Sequence, residues 1–432
     1  MAIKKKTEYL LDSSAIIYMA LLQIRMSNVF RVSVNLKEDV DLQILQETVD
    51  VLTPRFPSMI AGIRSGSFDY WVVPVSEPPK VMQETKPLTY MSRKEIRKCA
   101  LRVLYKNKTI AVEIFHGVAD GRASSVFLKA LIAEYLKRKH GVECNEDDKI
   151  ILPSMPILEE EVSDSFRTYS RKKRRPFFHY DSYRFLTVKR LTDIHIVSVI
   201  FDTKSLLEVA HKYGTTLTLF LGAVMLESVM QIQNQSKRPR KKLKPVHLMV
   251  PIDLRTQFPS RTLRNFALQG YLSMYPENID MPFEELLKIL SSDIQRQFSY
   301  ETLSSLITET VVMQKYVKWI PLGIKSLAVM CTLNFVEENT SALFFSNLGE
   351  LQLPEKLKPF IDDVEFTLTP RTCSPYNCGI VSFDNKLRIN ISVSGESHGL
   401  EHTFLQKLYN LGCVPKVEVD GEPVDLDDFL NK

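Results

Sequence analysis

Paired cysteines are missing from this sequence. Its six cysteines stand at 99, 144, 331, 373, 378 and 413, and none forms a Cys-x-x-Cys pair. A small disulfide-stapled framework is therefore excluded. So is zinc-ligand spacing, because Cys373 and Cys378 have no second pair and no nearby histidines to complete a site. Free thiols in a reducing cytosol are the simplest account, so a cytoplasmic location and no metal are expected. No apolar run reaches the ~20 residues of a membrane span. The lysines at 4, 5 and 6 and the short apolar stretch Ala15–Leu22 imitate a signal sequence, but Asp12-Ser13-Ser14 precedes the stretch and no cleavage pattern follows. It reads as an amphipathic helix. Charge of one sign is also scarce in excess. Lys and Arg total 56 against 51 Asp and Glu, a net +5, which is too mild for a nucleic-acid binder, and no such module is visible.

What is present is ordinary globular composition, 44% hydrophobic and 25% charged, over 432 residues. That length exceeds a usual single core, so two domains are expected. Val29–Leu36 alternates as a strand, and Asp41–Leu52 reads as a helix with Leu42, Leu45, Val49 and Leu52 on one stripe. Phe68–Val75 is strand-like. Ala100–Tyr105 and Thr109–Phe115 form a hairpin pair around Lys106-Asn107-Lys108.

The most informative stretch follows that hairpin. His116-Gly117-Val118-Ala119-Asp120-Gly121 joins a strand to a helix over Arg122–Lys139, which ends near Gly141. Alternation places Ile110, Val112, Ile114 and His116 on one face. An imidazole at a strand end on a glycine-punctuated turn is well placed for a general base. The same letters also fit a satisfied, half-buried histidine and an ordinary turn aspartate.

Residues 142–188 change character, with charge runs at Glu159-Glu160-Glu161 and Arg171–Arg175 that read as solvated faces on a crossover. A strand over Ile194–Phe201 and a helix over Thr203–Lys212 then repeat the order of residues 29–52. Thr216–Gln231 is a deeply apolar helix, and Lys237–Lys244 a basic loop. Val246–Ile252 leads into Asp253-Leu254-Arg255. Pro282–Tyr300 reads as helix. Ser341–Phe345 reads as a strand ending at Ser346-Asn347-Leu348-Gly349, and Ile380–Phe383 with Lys386–Val393 as a hairpin around Asp384-Asn385. The class is α+β, divided into 1–165 with the histidine motif, a crossover 166–190, and 191–432.

These segments resemble, in order, the CoA-dependent acyltransferase superfamily of chloramphenicol acetyltransferase, the plant BAHD acyltransferases and peptide-synthetase condensation domains. The closer resemblance is to bacterial alcohol acetyltransferase-like proteins. It is carried by the His116/Asp120-Gly121 box, by the opening Leu11-Asp12-Ser13-Ser14-Ala15-Ile16-Ile17-Tyr18, by Asn28–Arg31 and by Arg55-Phe56-Pro57. It continues through Val250–Arg255, Phe258-Pro259-Ser260 with Leu263–Phe266, Ser346–Gly349 and Asn377-Cys378-Gly379. The DFGW-type box of BAHD enzymes is absent, and Phe68-Asp69-Tyr70-Trp71 replaces a more aromatic run.

The resemblance implies two chloramphenicol-acetyltransferase-like halves in a pseudo-dimer with a tunnel between them and His116 inside it; the two linked halves can complete the tunnel without a partner. It implies acyl-CoA, with acetyl-CoA favoured, as a cosubstrate rather than a resident cofactor. The acceptor would be an alcohol or amine, and His116 the base, with no acyl-enzyme. It implies that Asp120 pairs with Arg255 to hold the motif loop, with Gly121 supporting it. Ser346 and Asn347 are candidate oxyanion donors, with turn chemistry as their other reading. Asn265 either orders the interdomain loop or lines the acceptor channel. The basic loop Lys237–Lys244 could attract CoA phosphates or be simply solvated. Donor transfer from an acyl carrier protein, and a binding protein without turnover, are the alternatives.

Overall fold

The computed structural model describes residues 8–22, 28–171, 181–185, 194–235, 239, 242–328, 340–371, 374–395 and 397–431. The first part of the chain forms β1 (Tyr9–Leu10), β2 (Val29–Leu36), β3 (Ala61–Ser65), β4 (Tyr70–Pro74), β5 (Met82–Gln83), β6 (Leu101–Lys106) and β7 (Thr109–Phe115). β6 and β7 make the expected hairpin, with Asn107 at a left-handed φ of 50° in its turn. The second part forms β8 (Ile194–Asp202), β9 (Val246–Asp253), β10 (Ala267–Met274), β11 (Leu343–Glu350), β12 (Ile361–Leu368), β13 (Tyr376–Phe383), β14 (Lys386–Ser394), β15 (Lys416–Val419) and β16 (Glu422–Val424).

The repeat of strand then helix is present in both parts. β2 leads to the helix Leu42–Leu52, capped by Asp41, whose carboxylate accepts from Ile44 N at 3.0 Å. β8 leads to the helix Thr203–Lys212, capped by Asp202, which accepts from Ser205 N at 2.8 Å. Two main cores result. One is built mostly from residues 9–162 and the other from residues 185–417, with the helix Leu217–Gln235 buried through its middle. No single helix among the described residues is long and apolar enough to cross a membrane.

The sheets do not follow the chain order so simply. One has order β12-β2-β7-β6-β5, a second β10-β9-β11-β13-β14-β8-β15-β16, and a small third β1-β4-β3. β12, from within 191–432, pairs antiparallel with β2 of the first part. It also lies against β13 and β14 of the second sheet. A Cβ on Gly379 would stand 2.5 Å from the Phe366 carbonyl oxygen, so only glycine admits this approach. Buried polar contacts fasten the layers: Arg388 Nη2 to Asp363 at 2.6 Å, Asn390 Nδ2 to Thr367 Oγ1 at 2.9 Å, and Ser392 Oγ to the Leu368 carbonyl at 2.6 Å.

The helix expected over Pro282–Tyr300 is present as Phe283–Gln297, and a second helix, Tyr300–Val317, follows it on the Ser299 cap. One expected boundary is corrected. Ser346-Asn347-Leu348-Gly349 does not end a strand. β11 runs through it to Glu350, with an irregularity after Asn347 that Gly349 permits at φ 72°.

Candidate active site

The site begins where β7 ends. His116 N donates to the Asn28 carbonyl at 2.8 Å, which fixes the backbone as it leaves the sheet. Gly117 is required by crowding, since a Cβ there would stand 2.5 Å from the Phe115 ring. Gly121 leaves room for Leu348 of β11, whose Cδ2 is 2.5 Å from where a Cβ would be. The helix Gly121–His140 then starts on Asp120, whose Oδ1 accepts from Ala123 N at 2.9 Å, and stops at left-handed Gly141.

The His116 side chain is half-buried between three elements. Tyr18 stacks on its ring, with centroids 4.4 Å apart and planes 20° apart, and Phe30 meets it edge-on at 5.1 Å. Its Nδ1 lies 3.0 Å from Asn265 Oδ1. With Nδ1–H donating to that oxygen, Nε2 carries the lone pair. Burial disfavours the imidazolium and holds the pKa below the ordinary histidine range; its own carbonyl, Asp120 and Asn265 offset this only in part. The imidazole is therefore neutral near pH 7.

Asp120 and Arg255 are brought together. Arg255 Nη1 donates to Asp120 Oδ2 at 2.8 Å, and that oxygen also accepts from Phe266 N at 2.8 Å. The Asp120 carboxylate is thus spent on a helix cap, a guanidinium and a backbone amide. Arg255 additionally donates to Asp253 at 2.8 Å, to the Thr262 carbonyl at 3.0 Å and to the Arg264 carbonyl at 2.8 Å. Together they shape the loop 262–266, which delivers Asn265 to His116 across the two parts of the chain.

Asn265 is buried, and its Nδ2 has no hydrogen-bond partner among the described residues. Its backbone N–H donates to Asp12 Oδ2 at 3.2 Å. Asp12 is itself buried, 2.8 Å from Arg264 Nη2 through its other oxygen. Burial pushes the Asp12 carboxyl up to about 7, Arg264 opposing. In the sequence, Asp12 and Tyr18 stand in the opening segment Leu11–Tyr18, with only their six-residue spacing to signal a place at the site.

Ser346 is buried in β11. Asn347 Nδ2 donates to Thr218 Oγ1 at 3.0 Å and its Oδ1 accepts from Gly349 N at 2.8 Å, so its amide serves the strand irregularity. Of the basic loop Lys237–Lys244, residues 237, 238, 240 and 241 lie outside the described residues, as do 172–175 of the run Arg171–Arg175 and Cys331 and Cys373. Cys99, Cys144, Cys378 and Cys413 are free thiols, and burial raises the pKa of each, opposing nucleophilic use. Among the described residues, no group of three or more His, Cys, Asp or Glu is placed to hold a metal.

No protein-family model matches the sequence, and no curated protein matches it. Solved structures do resemble it. TRI101 of F. sporotrichioides, complexed with coenzyme A and T-2, aligns with a TM-score of 0.62 at 12% identity, covering 95% of this chain and 99% of that one. TRI3 trichothecene 15-O-acetyltransferase from Fusarium sporotrichioides aligns at 0.59 and 10% identity, covering 94% of each. The condensation domain of the monacolin K polyketide synthase MokA aligns at 0.56 and 11%, covering 94% and 97%. The chain has their fold. It is α+β, as expected, and His116 stands where the end of β7 meets the loop 262–266.

Proposed function

We propose that this protein transfers an acyl group from coenzyme A to an alcohol or amine acceptor, with His116 as general base. The observation that carries the proposal is the imidazole itself: neutral, at a strand end, with Asn265 Oδ1 and its own carbonyl as partners on the Nδ1 side and Nε2 left basic. The shared fold includes a structure holding coenzyme A and one named as an O-acetyltransferase, which supports this reaction class.

In the proposed reaction, Nε2 takes the acceptor's proton as its oxygen or nitrogen attacks the thioester carbonyl. A tetrahedral oxyanion forms, the carbon–sulfur bond breaks, and the imidazolium returns the proton to the departing thiolate. Atoms balance without an acyl-enzyme. Asn265 Nδ2, a buried donor with no partner among the described residues, is the best-supported oxyanion group; Ser346 is the other candidate. Acetyl is the favoured acyl group. Asp120, Gly121 and Arg255 hold the motif loop rather than touch substrate. A carrier-protein thioester is the second donor reading, favoured by the condensation-domain likeness.

The test is free-thiol release from a panel of acyl-CoAs with alcohols and amines. Acceptor-dependent release that His116→Ala lowers by about two to four orders of magnitude is expected. Release seen only with an acyl carrier protein would select the second reading. Binding of coenzyme A without turnover on any acceptor would leave a silent binding protein.

A further inference from the structure

The segment that opens the described chain is fixed at both ends of Asp12. Before it, Leu11 N donates to the Tyr70 carbonyl at 2.9 Å, extending the pairing of β1 with β4, and the Leu10 carbonyl accepts from Arg264. After it, Ser13 Oγ donates to Asp164 at 2.9 Å, and Gln314 Nε2 donates to the Ser13 carbonyl at 2.9 Å. Asp12 is therefore a rigid acceptor beneath the loop 262–266.

That loop has three backbone anchors around Asn265. The Arg264 carbonyl is held by Arg255, the Phe266 N–H by Asp120, and the Asn265 N–H by Asp12. The first two belong to the Asp120–Arg255 pair. Only the third acts on Asn265's own peptide N–H, and Asn265 Oδ1 is the atom 3.0 Å from His116 Nδ1.

A buried carboxylate is an expensive device for holding a loop. Well-packed apolar residues of similar volume in place of a buried ion pair are often neutral or stabilising. What such residues lack is an acceptor at a fixed point.

We propose that Asp12 is a positioning residue for the His116 base, acting through the backbone of Asn265 to fix the imidazole tautomer. This rests on His116 being the base, but it is tested by a measurement that needs no turnover. The contact it explains is made across 253 residues of sequence. Displacing Asn265 by a fraction of an ångström lengthens the Nδ1–H···Oδ1 bond. The ring's own carbonyl is then its remaining partner beside Asn265, the proton shifts in part to Nε2, and a ring protonated there cannot accept from the acceptor.

The experiment is long-range proton–nitrogen correlation on protein labelled with nitrogen-15 at histidine. The His116 signals are assigned by their loss in His116→Ala, and the spectra are read beside acyl-CoA kinetics. The wild type should show His116 protonated at Nδ1 only. Asp12→Ala should show a mixture of tautomers and a kcat lower by about tenfold to a hundredfold, with KM for acyl-CoA little changed. Asn265→Ala should show the same mixture. If Asp12→Ala does not fold, Asp12→Leu/Arg264→Met removes both buried charges together and deletes the acceptor; it should show the same tautomer change. A folded protein of either kind with the wild-type tautomer and kcat would overturn the proposal. A wild type that turns over no thioester but keeps an Asp12-dependent tautomer would sink the acyltransferase reading and leave the positioning role standing.

Discussion

Asp12 is a buried titratable group and His116 a half-buried one, and burial moves them in opposite directions on the pH scale. The His116 pKa is lowered, so the base is lost only when pH falls below the ordinary histidine range. The acid limb of kcat/KM should therefore have its midpoint below 6.5. A midpoint at 7 or above in a pH–rate profile would contradict the environment described for the ring. For stability, a depressed histidine pKa means that the unfolded chain binds the proton more tightly, so this group's contribution is lost as pH falls through 6.5. Asp12 works the other way. Its folded pKa is about 7 against 3.8, so the native state binds more protons between those values. Its contribution therefore falls as pH rises from about 4 to 7. Melting curves of wild type and Asp12→Asn should diverge across that window, with wild type gaining relative stability at the acid end. Parallel curves would show that Asp12 is not the group titrating.

At the scale of elements, the β7 end, the helix Gly121–His140 and the loop 262–266 are one unit because Asp120 serves all three. Asp120→Asn keeps a helix cap but loses the charge facing Arg255, and Arg255→Gln strands the aspartate. Each should cost about 3–5 kcal/mol if the remaining charge stays buried, and the double variant should cost less than their sum. A double-mutant cycle on chemical denaturation measures this, and strict additivity would argue against a working pair. Much of this unit was legible in the sequence. The alternation of Thr109–Phe115, the glycines at 117 and 121 and the cap signal at Gly141 are local properties, and local properties are written in neighbouring residues. The Asp120–Arg255 pair needed the family resemblance. The roles of Asp12 and Tyr18 needed the coordinates, because the partners of Asp12 lie about 250 residues away and that of Tyr18 almost a hundred. β12 was missed for another reason. Ile361–Leu368 carries Asp362, Asp363 and Glu365, which look like a solvated loop; Asp363 is instead buried against Arg388, and Glu365 accepts from Asn35 Nδ2 at 2.8 Å.

For the whole molecule, the close contact of β12 with β13 is the joint between the two parts. Gly379→Ala places a methyl group against the Phe366 carbonyl oxygen, with backbone rather than a flexible side-chain tip in the way. A loss of about 1–3 kcal/mol is expected from the overpacking. Activity should fall with stability, although residue 379 is no part of the His116 cluster. Hydrogen exchange should quicken in both β12 and β13. Exchange confined to one sheet would mean that the layers yield independently.

The pairing of β12 with β2 also has a consequence for synthesis. β2 lies between β7 and β12, so until residue 368 has left the ribosome one edge of its backbone has no neighbour. Nascent chains carrying residues 1–165 alone hold a five-strand sheet one strand short, with a hydrophobic strand at the open side. Closure waits on a contact that spans more than three hundred residues, the kind that forms late. A released fragment 1–165 should be aggregation-prone, and adding a peptide spanning 358–370 should raise its soluble fraction. A soluble, monomeric fragment with the native amide protection of β2 would show that the first sheet closes without waiting.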